Sequence, residues 1–132
     1  MTQYETMYEQ KKMTAEQALQ LIQSRDYMFS AQASGEPAAI LDKLQYLKKT
    51  GVRDTIINTC LPLKDYPWLH DQEMKGIMFH NGWFFCGPLR QSQKEKLTSA
   101  VPQRSTTILR HTLDRIRYEG RRPVILATVS PM

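Results

Sequence analysis

The sequence has few of the residues that would mark a metal-binding, redox or membrane-spanning protein. Its two cysteines, Cys60 and Cys86, form no Cys-x-x-Cys pair and have no metal-ligand spacing around them. No apolar run approaches the roughly 18 residues of a membrane span, and the N-terminus, MTQYETMYEQKK, has no apolar leader core. We therefore expect a soluble, cytoplasmic protein whose thiols are buried as small hydrophobic groups.

Histidine, repeats and flexible linkers are equally sparse. The three histidines, His70, His80 and His111, have no i, i+4 pairing and no acidic neighbour at ligand spacing, so we expect structural or surface roles and no metal site. No internal repeat, low-complexity segment or Gly/Ser linker divides the 132 residues. A chain of this length without a divider is predicted to form one domain.

Composition and charge leave several classes of function open. Hydrophobic residues make up 41% and charged residues 23% of the chain, which is typical of globular proteins. The formal net charge is +5 and the pI is about 9.3. A mildly basic balance suits an anionic ligand such as a nucleotide phosphate, and it is also compatible with nucleic acid.

Helical patterns alternate with short apolar segments along the chain. A capping box at Thr14–Gln17 starts the first predicted helix, and Gly51 and Gly120 are placed as helix ends. Strands are predicted at 27–32, 55–61, 77–80, 97–101 and 124–129, with helices or helical turns at 14–24, 37–50, 67–75, 91–96 and 105–118. This order predicts an α/β fold with a mostly parallel open sheet and flanking helices.

The apolar run at 124–129 carries a prediction about the end of the chain. VILATV shows no alternation, as expected for a strand buried on both faces in the middle of a parallel sheet. Such a strand is normally left by another crossover, yet three residues later the sequence stops. We therefore expect a truncated domain, an expectation that fails if the run is a solvated edge strand.

Ligands of open α/β sheets bind beyond the carboxyl ends of the strands. Four such ends are predicted, at 32–36, 59–62, 84–88 and 128–131. In the first, Gly35 permits close backbone approach, and Pro37 starts a helix whose free N–H groups would suit a carboxylate or a thioester oxyanion. The candidate binding residues here are Gln32, Ser34, Gly35, Glu36 and Pro37, although the same pattern also serves merely to turn the chain.

The third predicted end, 84–90, is a loop with a Gly-Pro break. Gly87 opens the backbone, and Arg90 could pair with a phosphate or carboxylate of a ligand. The alternative is a surface arginine that pairs locally. We predict Gly87 and Arg90 as further substrate-binding residues.

Several segments together resemble one family. They are 8–18 (YEQKKMTAEQA), 33–37 (ASGEP), 84–90 (FFCGPLR), Pro102 and 123–132 (PVILATVSPM). In this order they are similar to the acetyl-CoA hydrolase/CoA-transferase family, of the 4-hydroxybutyrate and butyrate:acetate CoA-transferase type. The resemblance covers nearly the whole chain, and its weight lies in the series of motifs, since no one of them is specific.

The resemblance implies an N-terminal portion, residues 1–132, of an acyl-CoA:carboxylate CoA-transferase. In the family the nucleophile is a glutamate in an E-x-G setting in the second half, which also supplies most of the coenzyme A site. No glutamate of this chain stands in E-x-G, so the resemblance implies no catalytic residue here. It implies acyl-CoA and a small carboxylic acid as substrates, no covalently bound cofactor, and the remainder of its own polypeptide and a homo-oligomer as partners.

Glu36 could be mistaken for that nucleophile. We prefer a structural role, because a carboxylate in the first helical turn complements the helix dipole. This portion would then contribute one wall of the acyl pocket, formed by residues 32–37.

Two other classes of function remain. A basic C-terminal third, with Arg104, Arg110, Arg115, Arg117, Arg121 and Arg122, could serve a nucleotide- or nucleic-acid-binding module, but no helix-turn-helix, RNP-like or metal-finger pattern accompanies it. A non-catalytic subunit or interaction domain derived from the same family is the other alternative.

Overall fold

The fold is known from a computed structural model, which describes residues 2–104 and 106–130. The strands are β1 (Tyr27–Ser30), β2 (Thr55–Thr59), β3 (Met78–Gly82), β4 (Thr98–Ala100) and β5 (Pro123–Leu126). The α-helices are α1 (Gln3–Lys11), α2 (Ala15–Leu19), α3 (Ala38–Leu41), α4 (Gly87–Lys94) and α5 (Ile108–Glu119). Short 3-10 turns occupy Ala33–Gly35, Leu44–Lys49, Pro67–Leu69 and Gln72–Met74.

The five strands form one sheet in the order β4-β3-β2-β1-β5. Every pairing is parallel, from β3 with β4 at one edge to β1 with β5 at the other. Strand β1 comes first, and β2, β3 and β4 are added to the sheet one after another on the same side of it. The chain then returns through α5, and β5 pairs on the other side of β1. The predicted α/β fold with a parallel sheet and flanking helices is confirmed, and the direction of strand addition reverses at β1.

One face of the sheet holds the hydrophobic core. Met28 of β1 and Ile57 of β2 are fully buried there, and the segments between strands pack against them. Burial of each such side chain contributes roughly 1.5–3 kcal/mol. The main members of the core on the covering layer are Leu19, Leu41, Leu44, Leu47, Tyr66, Trp68, Leu69, Met74 and Leu89.

The segment after β1 is not the single long helix that the sequence predicts. It is α3, of four residues, followed by the 3-10 turn Leu44–Lys49. Leu41, Leu44 and Leu47 are all fully buried, and their spacing of three matches the 3-10 period better than the α-helical one. Gly51 has φ 78° and ends the segment as predicted.

Helix α1 was not predicted, because it has no apolar stripe and no buried residue. A capping box begins it: the Thr2 amide donates to Glu5 Oε2 at 2.6 Å, and the Glu5 amide donates to Thr2 Oγ1 at 3.3 Å. The sequence carries this signal as Thr-x-x-Glu. The predicted capping box at Thr14 and Gln17 is also present.

Strand β5 is an edge strand, so the prediction that its apolar run is buried on both faces is wrong, and the argument for a truncated domain that rests on that burial fails with it. It pairs with β1 alone among the described residues, and Ile125 is 77% exposed while Leu126 is 7% exposed. Successive side chains of a strand point to opposite faces of the sheet, so Leu126 lies on the core face and Ile125 on the other face, where it is exposed. A run of uniformly apolar residues hides this alternation.

Helix α5 is also more exposed than its apolar pattern indicates. Ile108, Leu109, Leu113 and Ile116 lie toward one side of the helix, but Leu109 is 68% exposed, Leu113 is 42% exposed and no α5 side chain is fully buried. The helix lies over the second face of the sheet, where the Arg115 guanidinium is 5.7 Å from the centre of the Tyr27 ring. Ser105, where this helix was predicted to begin, lies outside the described residues.

Candidate functional site

A cleft of about 260 Å³ lies beyond the carboxyl ends of the central strands. Each strand from β1 to β4 is followed by a segment that contributes to it, and α5 begins beside it. Because all strands run in the same direction, their ends meet at one edge of the sheet. The lining residues are Gln32 after β1, Cys60 after β2, Trp83 and Phe84 after β3, Gln103 after β4, and Ile108 at the start of α5.

The two aromatic residues of the cleft are held by an extension of the β2–β3 ladder. The Trp83 amide donates to the Thr59 carbonyl at 3.0 Å, and the Phe84 amide donates to the Cys60 carbonyl at 3.1 Å. The Trp83 ring lies 6.3 Å from the ring of Phe29 on β1. These contacts fix one wall of the cleft to the rigid sheet.

The described lining residues include no charged side chain. Burial raises the pKa of the Cys60 thiol, so it stays protonated at neutral pH and is a poor nucleophile. The side-chain amides of Gln32 and Gln103 make no hydrogen bond to any described residue. Among its described residues, the cleft therefore offers polar, un-ionised binding groups and no acid, base or activated nucleophile.

Gln32 is the only one of the predicted binding residues that lines the cleft. In the turn after β1, the amides of Gly35, Glu36 and Ala38 already donate to the carbonyls of Gln32, Ala33 and Glu36. They are therefore not offered to an anion. The following helix has four residues and so has little dipole to contribute.

Gly35 has a structural reason to be a glycine. A Cβ at this position would lie 3.3 Å from the Cβ of Ala31, which is tighter than an ordinary contact. The turn is also joined to the segment after β5, where the Thr128 amide donates to the Gly35 carbonyl at 2.8 Å and Thr128 Oγ1 donates to the Glu36 carbonyl at 3.0 Å. Pro131, in the fourth predicted strand end, and Met132 lie outside the described residues.

The carboxylate of Glu36 is buried and engaged by the chain itself. Glu36 is 7% exposed, the Leu63 amide lies 3.2 Å from each carboxylate oxygen, and the Tyr66 hydroxyl donates to Oε1. Burial and then this hydrogen bond raise the pKa of Tyr66. Glu36 ties the loop after β1 to the segment after β2, a structural role different from the dipole interaction we expected.

Gly87 and Arg90 lie on helix α4 instead of the predicted loop. Gly87 is the first residue of that helix, and Arg90 is exposed in its first turn, outside the cleft. At Gly82 of β3, an added Cβ would lie 2.7 Å from Leu89 Cδ1 of α4. Gly82 is thus the glycine that sets how α4 packs on β3.

A buried chain of hydrogen bonds links β2, β3 and β4 to helix α4. Ser92 Oγ donates to the Leu69 carbonyl, and it lies 2.6 Å from Thr98 Oγ1. His80 Nδ1 lies 2.8 Å from Thr98 Oγ1, and His80 Nε2 lies 2.8 Å from Thr59 Oγ1. Each hydroxyl has one proton, so Thr98 donates to Ser92, His80 Nδ1–H donates to Thr98, and Thr59 donates to Nε2.

This chain requires a neutral His80, in agreement with the pKa of about 3 to which burial lowers it. His70 is different, since it contacts Glu95 through Nδ1 at 3.0 Å and Asp65 through Nε2 at 2.7 Å. Burial lowers the pKa of His70, but the hydrogen bonds to Glu95 and Asp65 outweigh burial and raise it overall. Both histidines are structural, as the sequence predicts.

Half of the arginines in the basic C-terminal third are engaged in internal ion pairs. Arg121 contacts Asp54 and Glu119, and its side chain is 9% exposed. Arg122 donates to both carboxylate oxygens of Asp26, at 2.9 and 2.6 Å, while Arg115 pairs with Glu119. These charges are neutralised where they lie, which reduces the basic surface available to nucleic acid.

Across residues 2–104 and 106–130, no group of three histidine, cysteine, aspartate or glutamate side chains could hold a metal ion. In the same ranges no helix is both long enough and apolar enough to cross a membrane.

A five-stranded parallel sheet with a cleft beyond its carboxyl ends is the geometry of α/β proteins that bind small molecules. Among solved structures, the fold is similar to RipA from Yersinia pestis, with a TM-score of 0.75 and 20% identity over 99% of this chain and 32% of that chain. A mutant RipA structure matches with a TM-score of 0.76, 20% identity, and 99% and 31% coverage. The chain thus spans about a third of the length of these structures. No protein-family model matches the sequence, and no curated protein matches it with significance.

Proposed function

We propose that this chain forms the N-terminal wall of the acyl pocket in an acyl-CoA:carboxylate CoA-transferase of the acetyl-CoA hydrolase/CoA-transferase type. The observation that carries the proposal is the cleft at the carboxyl edge of the sheet, whose described residues can bind a substrate but cannot attack it. A cleft that binds the substrate without attacking it suits a protein whose nucleophilic glutamate lies elsewhere in the polypeptide. The series of matching segments supports the family, and the likeness to RipA supports the fold.

The proposed reaction proceeds in two halves. A glutamate carboxylate supplied by the remainder of the polypeptide attacks the acyl-CoA thioester carbon, the C–S bond breaks, and an acyl-glutamyl anhydride and CoA thiolate result. The thiolate then attacks the glutamyl carbonyl, which releases the donor acid and leaves a glutamyl-CoA thioester. In the second half, the acceptor acid takes the CoA and the glutamate is regenerated. A carboxylate is a weak nucleophile, so binding and orientation supply much of the rate.

In this scheme the chain's own residues position the substrate. Trp83 and Phe84 provide an apolar wall that the β2–β3 ladder holds in place. Gln32 and Gln103 provide amide groups, and Glu36 keeps the loop after β1 closed through Leu63 and Tyr66. We place the protein in the cytoplasm, as a homo-oligomer, with the remainder of the polypeptide against the open edge of β5.

The test compares the 132-residue chain with the complete product of its reading frame. Each is incubated with butyryl-CoA and labelled acetate, and acetyl-CoA formation and a covalent CoA adduct are measured by mass spectrometry. We expect exchange and a glutamyl-CoA adduct for the complete product, and neither for the 132-residue chain. Exchange by the 132-residue chain alone, or a complete product with no exchange and no adduct, would contradict the proposal.

A second candidate function is a non-catalytic subunit or interaction domain of the same ancestry. It is favoured by the exposed Ile125 on the open edge of β5 and by the exposed Leu109 and Leu113 on α5. If this candidate is correct, a partner should co-purify with the chain, and light scattering should show a specific heteromeric complex of the two. A monodisperse monomer that neither binds a partner nor self-associates would count against it.

The nucleic-acid alternative has less support, because three of its six arginines are committed to carboxylates. Binding of duplex or single-stranded DNA with a steep salt dependence would revive it.

A further inference from the structure

Helix α1 does not pack against the rest of the described chain. None of its nine residues is buried, and every hydrogen bond and ion pair that the structure describes for residues 2–12 lies inside that segment. An isolated helix shorter than roughly 12–15 residues is only marginally stable in water, because its nucleation is costly. The capping box at its start offsets only part of that cost. A helix of this length therefore needs contacts from outside the segment to persist.

One face of α1 is aromatic instead of aliphatic. The face consists of Tyr4, Met7, Tyr8 and Lys11, which follow the i, i+3, i+4, i+7 spacing of side chains on one side of a helix. The two tyrosines and the methionine are exposed. A tyrosine ring can bury a large apolar area while its hydroxyl stays in water, and methionine packs well against aromatic rings. This aromatic face is therefore suited to pack on another helix.

The charges of α1 indicate which helix would fit that face. Glu5 lies in the first turn, Lys11 in the last turn, and Lys12 is the C-cap. Glu5 and Lys12 are about two helical turns apart, so they lie beside the aromatic face on the same flank. When two such helices pair antiparallel, like flanks meet, and Glu5 of each helix faces Lys12 of the other. Parallel pairing would instead place Glu5 beside Glu5 and Lys12 beside Lys12. In charge, α1 is thus complementary to a second α1 that runs in the opposite direction.

We propose that α1 is a self-association helix, which pairs antiparallel with α1 of a second copy of this chain through the aromatic face. The twofold axis lies between Met7 and Tyr8, so that Met7 of each helix packs against Tyr8 of the other. Lys11 of each helix then lies over the Tyr4 ring of the other. Both copies use the same surface, so the contact closes as a dimer. This inference gives an interface to the proposed homo-oligomer, but it rests on α1 alone and does not depend on CoA transfer.

Formation of the helix and formation of the dimer should be coupled. Two nine-residue helices bury little surface, so the dimer should be weak, and a helix that is marginal alone should gain order as it pairs. The test follows the mass of the 132-residue chain by sedimentation and the ¹³Cα NMR shifts of residues 3–11, from about 10 µM to about 1 mM, the range of weak association. We expect both to rise with the same midpoint. A monomer throughout, or an α1 helicity that does not change with concentration, would overturn the proposal.

Two neighbouring substitutions test whether the aromatic face forms the contact. Tyr8→Gln changes this face, whereas Glu9→Gln changes a residue outside it. Each removes one local contact of Lys12, whose Nζ lies 5.9 Å from the centre of the Tyr8 ring and 3.7 Å from Glu9 Oε1. Glutamine is as good a helix former as glutamate and better than tyrosine, so neither variant weakens the helix itself. We expect Tyr8→Gln to raise the dimer dissociation constant about tenfold, since the contact is lost twice, and Glu9→Gln to match the wild type. Equal constants for the two variants would contradict the proposal.

A substitution at Glu5 tests the direction of pairing. Glu5→Gln keeps a residue that can complete the capping box and removes the charge that faces Lys12 of the second copy. In the antiparallel dimer two exposed ion pairs are lost, and the dissociation constant should rise about threefold. In a parallel dimer the same change would relieve the repulsion between two glutamates and tighten the contact. An unchanged or lower dissociation constant would therefore rule out the antiparallel arrangement.

The outcomes separate this inference from the proposed function. CoA exchange by the complete product, together with a 132-residue chain that stays monomeric, would remove the α1 interface and keep the CoA-transferase. An α1 dimer that Tyr8→Gln dissociates, together with a complete product that neither exchanges CoA nor forms an adduct, would keep the interface and remove the CoA-transferase.

Discussion

The hydroxyl of Tyr66 donates to the buried carboxylate of Glu36. Tyr66 is fully buried and Glu36 is 7% exposed, so neither group can replace its partner with bulk water. The contact joins the turn after β1 to the segment after β2. It thereby places the two strand ends that contribute Gln32 and Cys60 to the cleft.

Removing this donor should destabilise the protein. Tyr66→Phe keeps the ring and its stacking on Trp68 but leaves the carboxylate with the Leu63 amide alone. We expect the free energy of unfolding to fall by about 1–3 kcal/mol, the cost of a buried polar group that loses a partner. Urea unfolding measures it, with Tyr118→Phe as control, since Tyr118 is 91% exposed. Equal midpoints for the two variants would contradict the structural role of Glu36.

The neutral His80 predicts a loss of stability in acid. Burial lowers its pKa to about 3 in the folded protein, whereas an unfolded histidine titrates at about 6.5. Below that value the unfolded chain binds the extra proton, so this site should cost about 1.4 kcal/mol of stability per pH unit until about pH 3. Urea unfolding across pH 4–7 should show this slope in the wild type and a shallower one in His80→Gln. If His80→Gln does not fold, an imidazole NMR titration of the wild type decides, and a midpoint near 6.5 would refute the prediction.

His70 should act in the opposite direction. Its pKa is raised in the folded state because the bonds to Glu95 and Asp65 outweigh burial. Its contribution to stability is therefore fully present below the ordinary pKa of about 6.5 and is lost as the pH rises through the raised value. His70→Gln should lower stability at pH 6 and have a smaller effect at pH 8.5. A difference that grows with pH would show that the carboxylates do not hold the imidazolium.

The end of α5 depends on a backbone conformation that favours glycine. Gly120 has φ 61° and ψ 34°, and no atom would lie within 4 Å of an added Cβ. Gly120→Ala should therefore cost about 1 kcal/mol from backbone strain alone. Gly87→Ala is the matched control, because its surroundings are equally open and its φ is not positive. Thermal unfolding should separate the two variants by several degrees, and equal melting temperatures would contradict the strain.

The sequence predicts the kind of sheet but not the order of its strands. Alternation of strands and helices indicates parallel pairing, and each strand is found within a few residues of its predicted position. Strand order depends on contacts between distant segments, such as the Tyr27–Pro123 pairing, which leave no local pattern. For the same reason the run at 124–129 indicates an apolar strand without showing that β5 pairs with β1 alone among the described residues.

The sequence predicts where the site lies better than it predicts which residues line it. The rule that ligands bind beyond carboxyl ends leads to the segments that contain Gln32, Cys60 and Phe84, all of which line the cleft. The same rule also selects Glu36, which does not line the cleft because its carboxylate is bound by Leu63 and Tyr66, far along the chain. Trp83 and Gln103 were missed because an aromatic or an amide residue after a strand has no distinctive motif.

The pairing of β1 with β5 has a consequence for folding kinetics. The first strand of the chain is completed by the last, with Met28 beside Val124 and Ser30 beside Leu126. A loop of that length must close before the pair gains any contact, and the entropy of closure slows its formation. Strands β1 to β4 can pair with their neighbours in sequence first, and one edge of β1 stays unpaired until β5 is added. Refolding should therefore proceed through a species with a four-stranded sheet, and β5 should acquire protection from hydrogen exchange last.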